Sequence, residues 1–361
     1  MEPRSSRRGR RTSTINDVAR HAGVSPMTVS RVINGESNVR PETRELVEAA
    51  IRALNYAPNP AARSLASAGL IRIGLLYSNP SAAYLSEFLV GSLDQCRRHN
   101  IQLVVEKCEP ETDEQAVAEQ LIASGIDGLI LPPPLCDEPE MLDLVIRTRT
   151  PAVAVAPGVP NPEVSAVSID NFEAALTMTR HLIELGHRRI GFIIGHPNQG
   201  ASARRLDGYR AALVEAGLAV DESLITQGYF TYRSGLDAAE QLLRLPAPPT
   251  AIFASNDDMA AASVAVVHRH GLDVPGDITV CGFDDTALAT TIWPELTTIR
   301  QPVTEMSRAA VDLLLQEIRQ LRAKEQVQPS HLLLDFELIR RQSDAIPRRP
   351  KAARKAAPRK G

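Results

Sequence analysis

The sequence has few of the features that mark secreted, membrane-spanning or disulfide-stabilised proteins. Its four cysteines among 361 residues are scattered, with no Cys-x-x-Cys spacing, and this predicts reduced thiols rather than disulfides or a zinc site. No apolar run approaches the roughly 20 residues that cross a bilayer. No apolar segment follows the arginines near the N-terminus, so we expect no signal peptide, no membrane contact and a cytoplasmic location.

The arrangements of residues that mark catalytic sites are also missing. We find no glycine-rich phosphate loop and no nucleophile elbow in the sequence. His268 and His270 are two positions apart in a predicted helix and face different sides, which does not favour a shared metal ion. We therefore expect no enzyme activity, no cofactor and no metal site.

Basic residues outnumber acidic ones at both ends of the chain. Residues 1–66 contain 11 arginines against six acidic residues, and residues 348–361 contain seven lysines and arginines and no acid. The stretch between them has a net charge of −15. Basic ends attract phosphates without regard to sequence, whereas an acidic middle is repelled by them. We expect residues 1–12 and 348–361 to be disordered basic segments that can touch nucleic acid.

Residues 14–34 have the pattern of two short helices joined by a tight turn. Thr14 is a good N-cap, and Gly23 supplies the left-handed conformation that ends a helix. Ser25 caps the second helix, with Pro26 at its first position. The outer face of this second helix is polar, as in a helix that enters the DNA major groove. A plain helical hairpin, with Ser25 and Thr14 only as caps, is the alternative.

Further motifs make the pattern specific. Residues 41–54 predict a third amphipathic helix, with its apolar residues on one face. Between residues 14 and 65 the chain carries Thr-Ile-x-Asp-Val-Ala, Ala-Gly-Val-Ser, Thr-Val-Ser-Arg-Val-Ile-Asn, Leu-Asn-Tyr-x-Pro-Asn and Ala-Arg-Ser-Leu. With these motifs it resembles the lac repressor family of bacterial transcription regulators. The resemblance continues almost to residue 343.

The resemblance implies how the N-terminal part would bind DNA. In the family the second helix reads bases in the major groove, and a hinge helix places a leucine between base pairs in the minor groove. Two-fold operators then require a homodimer on palindromic double-stranded DNA. Arg31 would supply most of the hydrogen-bonded readout, most simply to a guanine. The implied base contacts are Pro26, Met27 and Arg31; Thr28, Ser30 and Asn34 lie near phosphates, and Leu65 is the wedge.

From residue 71 onward, short apolar runs alternate with amphipathic segments, and this rhythm predicts parallel sheets covered by helices. The expected fold is an N-terminal all-α helix-turn-helix domain with a hinge helix, followed by a two-lobed α/β core like the periplasmic binding proteins. We expect crossings between lobes near residues 168, 299 and 331, with Leu332–Ile339 in the second lobe. The predicted domains are residues 1–12 (basic arm), 13–57 (helix-turn-helix), 58–67 (hinge), 68–347 (core) and 348–361 (basic tail). Within the core, lobe 1 is residues 71–168 and 300–330, and lobe 2 is residues 169–298 and 331–342.

Ligands of open α/β sheets bind beyond the carboxyl ends of the strands, which here would face each other across a cleft. Arginine, asparagine and aspartate supply the donors and acceptors that sugar hydroxyls need, and aromatic rings pack against sugar faces. Trp293, the sole tryptophan, would line the cleft or pack between the lobes. With the resemblance, the candidate effector residues are Tyr84, Asp170, Arg205, Phe230, Asn256, Asp284 and Gln301.

These features predict a ligand-controlled, sequence-specific DNA-binding regulator, most often a repressor in this family. We favour a sugar or sugar derivative as effector, and keep a purine-like effector and an activator role as alternatives. A periplasmic sugar receptor shares the core fold but has no use for residues 14–66. A hydrolase of nucleosides or sugars would need an acid cluster or a metal set that the sequence lacks.

Overall fold

The computed structural model describes residues 14–33, 39–54, 70–108 and 113–348. It divides the chain into two compact units, residues 1–70 and residues 71–361. The predictions for the basic arm, Asn34, the hinge with Leu65, and residues 349–361 of the tail therefore lie outside the described residues.

Among its described residues, the first unit has three helices, α1 (Ile15–Ala22), α2 (Pro26–Ile33) and α3 (Pro41–Ala53). The predicted caps are confirmed: Thr14 and Asp17 form a reciprocal capping box at α1, and Ser25 Oγ accepts the Thr28 N–H at 3.1 Å. Gly23 ends α1 with a positive φ of 65°. The small core of this unit is built from fully buried valines on all three helices, Val18, Val29 and Val47.

The described residues of the second unit form two six-stranded sheets, with helices between most consecutive strands. The first sheet has the order β11-β5-β4-β3-β1-β2, and the second has the order β12-β10-β9-β8-β6-β7. Its strands are β1 (Arg72–Tyr77), β2 (Gln102–Lys107), β3 (Gly128–Leu131), β4 (Ala152–Val155), β5 (Ser165–Ile169), β6 (Ile190–Ile194), β7 (Ile225–Gln227), β8 (Ala251–Ala254), β9 (Thr279–Asp284), β10 (Thr297–Arg300), β11 (His331–Leu334) and β12 (Glu337–Ile339).

The helices of the core follow the predicted alternation with strands. The helices are α4 (Ala82–Arg98), α5 (Glu114–Ala123), α6 (Pro139–Thr148), α7 (Asn171–Glu184), α8 (Gly200–Glu215), α9 (Tyr232–Leu243), α10 (Asp257–Arg269), α11 (Ala287–Thr291) and α12 (Val303–Arg322). Helix α12 packs on α4 and on strands β3 to β5, so the chain returns to the first lobe as expected.

One predicted connection is wrong. We expected residues Leu332–Ile339 to join the second lobe, with a crossing near residue 331. Instead β11 pairs in parallel with β5 of the first sheet, and only β12 joins the second sheet, antiparallel to β10. The crossing therefore falls between residues 334 and 337. A run of apolar residues does not show which of two sheet edges it will join, because both edges offer the same backbone hydrogen bonds.

All sheet pairs except β10–β12 are parallel. Strand carboxyl ends in a parallel sheet share one edge, and the loops after β1, β6, β8 and β9 start there. Among the described helices, none is long and apolar enough to cross a membrane.

Candidate functional site

The outer surface of α2 presents the residues predicted to read bases. Met27 is 64% exposed, Pro26 and Arg31 are exposed, and Thr28 and Ser30 are half-buried. The opposite face of α2 carries Val29 and Val32, which are buried in the small core. The helix therefore has one apolar face that holds it in place and one accessible face that can approach a duplex.

In the core, a small cavity lies where loops from both lobes meet. Its volume is about 30 Å³, enough for about two water molecules and well below the several hundred Å³ of typical ligand pockets. A sugar or purine enters this space only after the lobes or the lining side chains move apart. The lining residues are Asn79, Ser81, Tyr84, Pro133, Ala156, Gln199, Ala201, Arg205, Phe230, Asn256, Asp284 and Gln301.

Arg205, on the second turn of α8, is the central cation of the cavity and is only 4% exposed. Its Nε donates to Asn171 Oδ1 at 2.8 Å, and Nη1 donates to the carbonyl oxygen of Ser255. The guanidinium lies 3.5 Å from the centroid of the Phe283 ring. Contacts on several sides hold this planar donor in one orientation, which suits fixed recognition of hydroxyl or carboxylate oxygens.

Asp284, at the end of β9, is the partner charge. Its Oδ1 lies 3.8 Å from Arg205 Nη1 and accepts a hydrogen bond from Gln301 Nε2 at 2.6 Å. Burial raises the pKa of Asp284 to about 7, against the lowering effects of Arg205 and Gln301. Its backbone has a positive φ of 110°. A non-glycine residue in this strained conformation is uncommon and marks a position held by its surroundings.

Three further polar atoms in the cavity wall are buried without a hydrogen-bond partner within the described chain. They are the hydroxyl of Tyr84, Oε1 of Gln301 and Nε2 of Gln199. Burial, more than the nearby Asp284, raises the pKa of Tyr84, so its hydroxyl stays protonated. Unpaired buried polar atoms are costly, and a ligand with hydroxyl or amide groups would satisfy them.

Phe230 and Asn256 complete the polar–apolar wall. Phe230 is 6% exposed, and its ring lies so close to Gly195 that no side chain would fit there. Asn256 Oδ1 caps α10 by accepting the Met259 N–H at 3.0 Å, while its amide donates to the Phe230 carbonyl at 3.1 Å. Asn256 thus borders the cavity and also supports the loop that carries Phe230.

Six of the seven predicted effector residues line the cavity, and Asp170 does not. Its Oδ1 accepts the Glu173 N–H at 3.0 Å, so it serves as the N-cap of α7. Trp293 is 75% exposed and neither lines the cavity nor packs between the lobes. In both cases a loop position near the cleft was not enough to predict that the side chain lines the cavity, because the direction of a side chain depends on the local turn.

Among the polar residues of the lining, the residue-by-residue prediction missed Asn79, Ser81 and Gln199. Asn79 Nδ2 donates to the Pro133 carbonyl at 3.3 Å, and its Oδ1 accepts the Ser81 N–H at 2.9 Å. All three lie in the loops after β1 and β6, at the carboxyl ends of strands, where the sequence predicted the cleft. The sequence therefore indicated these residues by the loops that carry them and not by their residue types.

Comparisons with known proteins agree with the division into an N-terminal helix-turn-helix unit, the head, and an α/β core. A family profile described as bacterial regulatory proteins of the lacI family matches residues 14–59. A profile described as a periplasmic binding protein-like domain matches residues 179–343. Catabolite control protein A of Priestia megaterium is 34% identical over 332 residues, which cover 91% of this chain and 98% of that protein. The chain belongs to the lacI family.

Other lacI-family proteins show the same extent of similarity. The ribose operon repressor of Escherichia coli K12 is 38% identical over 85% of this chain and 94% of that protein. The solved complex of the transcriptional regulator CelR with cellobiose shares 34% identity and a TM-score of 0.68, covering 92% of this chain and 99% of that one. The lac repressor dimer bound to operator and the anti-inducer ONPF shares 29% identity and a TM-score of 0.78, covering 93% and 100%.

Family membership defines what kind of protein this is. The relatives include transcriptional repressors and regulators with a helix-turn-helix. The described residues contain no cluster of side chains that could hold a metal ion. The chain is a transcriptional regulator with a helix-turn-helix head and a periplasmic-binding-protein-like core.

Proposed function

We propose that the protein represses transcription by binding a palindromic operator as a homodimer in the bacterial cytoplasm, and that a small molecule in the interlobe cavity controls this binding. The observation that carries the proposal is the joint presence of an α2 helix with an accessible face and a cavity with the buried Arg205–Asp284 pair. A regulator that did not sense a ligand would have no reason to keep a buried charge pair beside three unpartnered polar atoms, because each costs stability.

We favour a sugar or sugar derivative as the effector. Arg205 and Tyr84 offer donors, Asp284 offers an acceptor, and the Phe230 ring supplies an apolar surface, which together match a ring with several hydroxyls. The ribose operon repressor and the CelR–cellobiose complex are relatives whose names point to sugars. Repressors named PurR, 34% identical over 85% of this chain, support a purine as the second candidate.

The test is a selection of operator sequences from random duplex DNA with the full chain, repeated with sugars, sugar phosphates and purine bases. We expect a palindromic consensus and a change of operator affinity with one sugar or sugar derivative. A response to purines alone would show that the effector is a purine and not a sugar. A protein that enriches no sequence under any of these conditions would contradict the proposed function.

Arg31→Ala tests the base-reading surface. Because we assign the hydrogen-bonded base readout to Arg31, its loss should weaken operator binding by about 1–3 kcal/mol and relax the preference at one base per half-site. Arg52→Ala, at an exposed arginine of α3, is the matched control and should keep the consensus. An unchanged consensus with Arg31→Ala would remove that residue from base recognition.

A further inference from the structure

Two carboxylates reach across the cleft in opposite directions. The first is Asp137, in the short 3-10 helix Leu135–Asp137 of the first lobe. Its Oδ1 accepts the Gly158 N–H of its own lobe at 2.8 Å, and its Oδ2 accepts the Gly200 N–H at 2.8 Å. Gly200 is the first residue of α8 in the second lobe, so one carboxylate joins backbone from both lobes.

The contact at Gly200 replaces a missing helix cap. Gln199, the N-cap residue of α8, makes no side-chain cap hydrogen bond. The first N–H groups of a helix lack partners within it and carry partial positive charge, so an anionic acceptor there is favourable. Asp137 supplies that acceptor from the opposite lobe.

The second carboxylate is Asp258, in the first turn of α10 in the second lobe. Its Oδ2 accepts a hydrogen bond from Ser81 Oγ of the first lobe at 2.7 Å. Ser81 is itself the N-cap of α4, where its Oγ accepts the Tyr84 N–H at 3.4 Å. Each lobe therefore sends one carboxylate to the start of a helix in the other lobe, and the two contacts share no residue.

The backbones of the two lobes also touch at Gly158 and Gly200. A Cβ placed on either glycine would overlap the backbone of the other. Such close approach is open only to residues without a side chain. It brings the Gly200 N–H within reach of the Asp137 carboxylate.

We propose that Asp137 and Asp258 act as an interlobe clasp that holds the two lobes together across the cleft. Hydrogen bonds to ionised carboxylates are stronger than those between neutral groups. Each contact ends on a helix that carries a cavity residue, because α4 holds Tyr84 and α8 holds Arg205. Breaking the clasp moves these two side chains apart. That this movement controls effector binding rests on the proposed function.

The test is amide hydrogen exchange on the full chain without added ligand, read at single amides. If the contacts act as one clasp, loosening one also loosens the other. Asp258→Asn should therefore speed exchange at the Gly200 N–H at least tenfold, although Asp258 does not contact that group. Asp137→Asn should likewise speed exchange at the Tyr84 N–H. Amides within β1 and β6 should keep their protection, which shows that the variants remain folded.

Matched controls separate a clasp from local capping. Asp143→Asn in the first lobe and Asp207→Asn in the second change exposed aspartates and should leave both amides as in the parent. Gly158→Ala, which pushes the backbones apart while leaving both aspartates in place, should speed exchange at both amides. Effects confined to the mutated contact, with the distant amide unchanged, would overturn the clasp and leave two independent helix caps. That outcome would not affect the proposed DNA and effector binding.

Discussion

The two lobes of the core are built to the same plan but bring different chemistry to the cleft. In each sheet the first strand in sequence lies second from one edge, the next strand forms that edge, and the following three are added on the other side, as in β1 to β5 and β6 to β10. The first lobe offers only uncharged groups to the cavity, including Asn79, Ser81 and Tyr84. The second lobe supplies both charges, Arg205 and Asp284.

This difference shows that topology and recognition are separate properties. The strand order puts the loops of both lobes at the cleft, because the carboxyl ends of parallel strands face that way. Which ligand is bound depends on the few side chains that these loops carry. We expect the charged second lobe to provide most of the binding energy and the first lobe to complete the closed site.

Asp284→Ala should have the largest effect of the cavity changes. It removes an acceptor and leaves Arg205 as a buried charge without its partner, so effector affinity should fall by about 100-fold or more. Operator binding without effector should remain close to that of the parent. Calorimetric titration with the effector found by selection measures the first effect, and operator titration measures the second.

Asp207→Ala, at an exposed aspartate of α8, is the matched control for this change. It should bind effector as the parent does. An Asp284→Ala protein that responds to effector normally would move the site away from the Arg205–Asp284 pair and would remove the proposed contrast between the lobes.

The pH dependence of effector affinity sharpens the role of the second lobe. Burial brings the pKa of Asp284 to about 7. If the bound ligand donates to the ionised carboxylate, affinity should be full above this pKa. It should fall as pH drops through 7, by up to about tenfold per pH unit below it. Titrations between pH 6 and 8 measure this slope.

Asp284→Asn provides the comparison for the pH experiment, because an amide does not titrate. Its weakened binding should be nearly independent of pH across the same range. A parent protein with equal affinity at pH 6 and pH 8 would show that the ligand does not depend on the ionised form of Asp284.

Tyr84→Phe should have the smallest effect and tests the first lobe. The hydroxyl is buried without a partner, so its removal relieves an unpaired group in the ligand-free protein. It also removes one neutral hydrogen bond to the ligand. We expect effector affinity to fall by about 3- to 10-fold and thermal stability to hold or rise slightly. A loss as large as that of Asp284→Ala would show that the two lobes contribute equally to effector binding.

Local patterns were sufficient for much of the fold. The capping residues of α1 and α2 and the turn at Gly23 depend on neighbours within four positions, and they were predicted correctly. The alternation from residue 71 onward predicted the parallel sheets correctly, because buried parallel strands are short, continuous apolar runs.

Other features depended on contacts between residues far apart in the chain, which local patterns do not encode. Residues 332–334 could have joined either sheet, and only the packed core placed them beside β5. Asp170 had a suitable position in the sequence but became a helix cap. Asp137, never a candidate, meets Gly200 across 63 positions. Amino-acid order decided which loops reach the cleft, through local hydrogen bonds and apolar periodicity; the docking of one lobe on the other decided which side chains meet there.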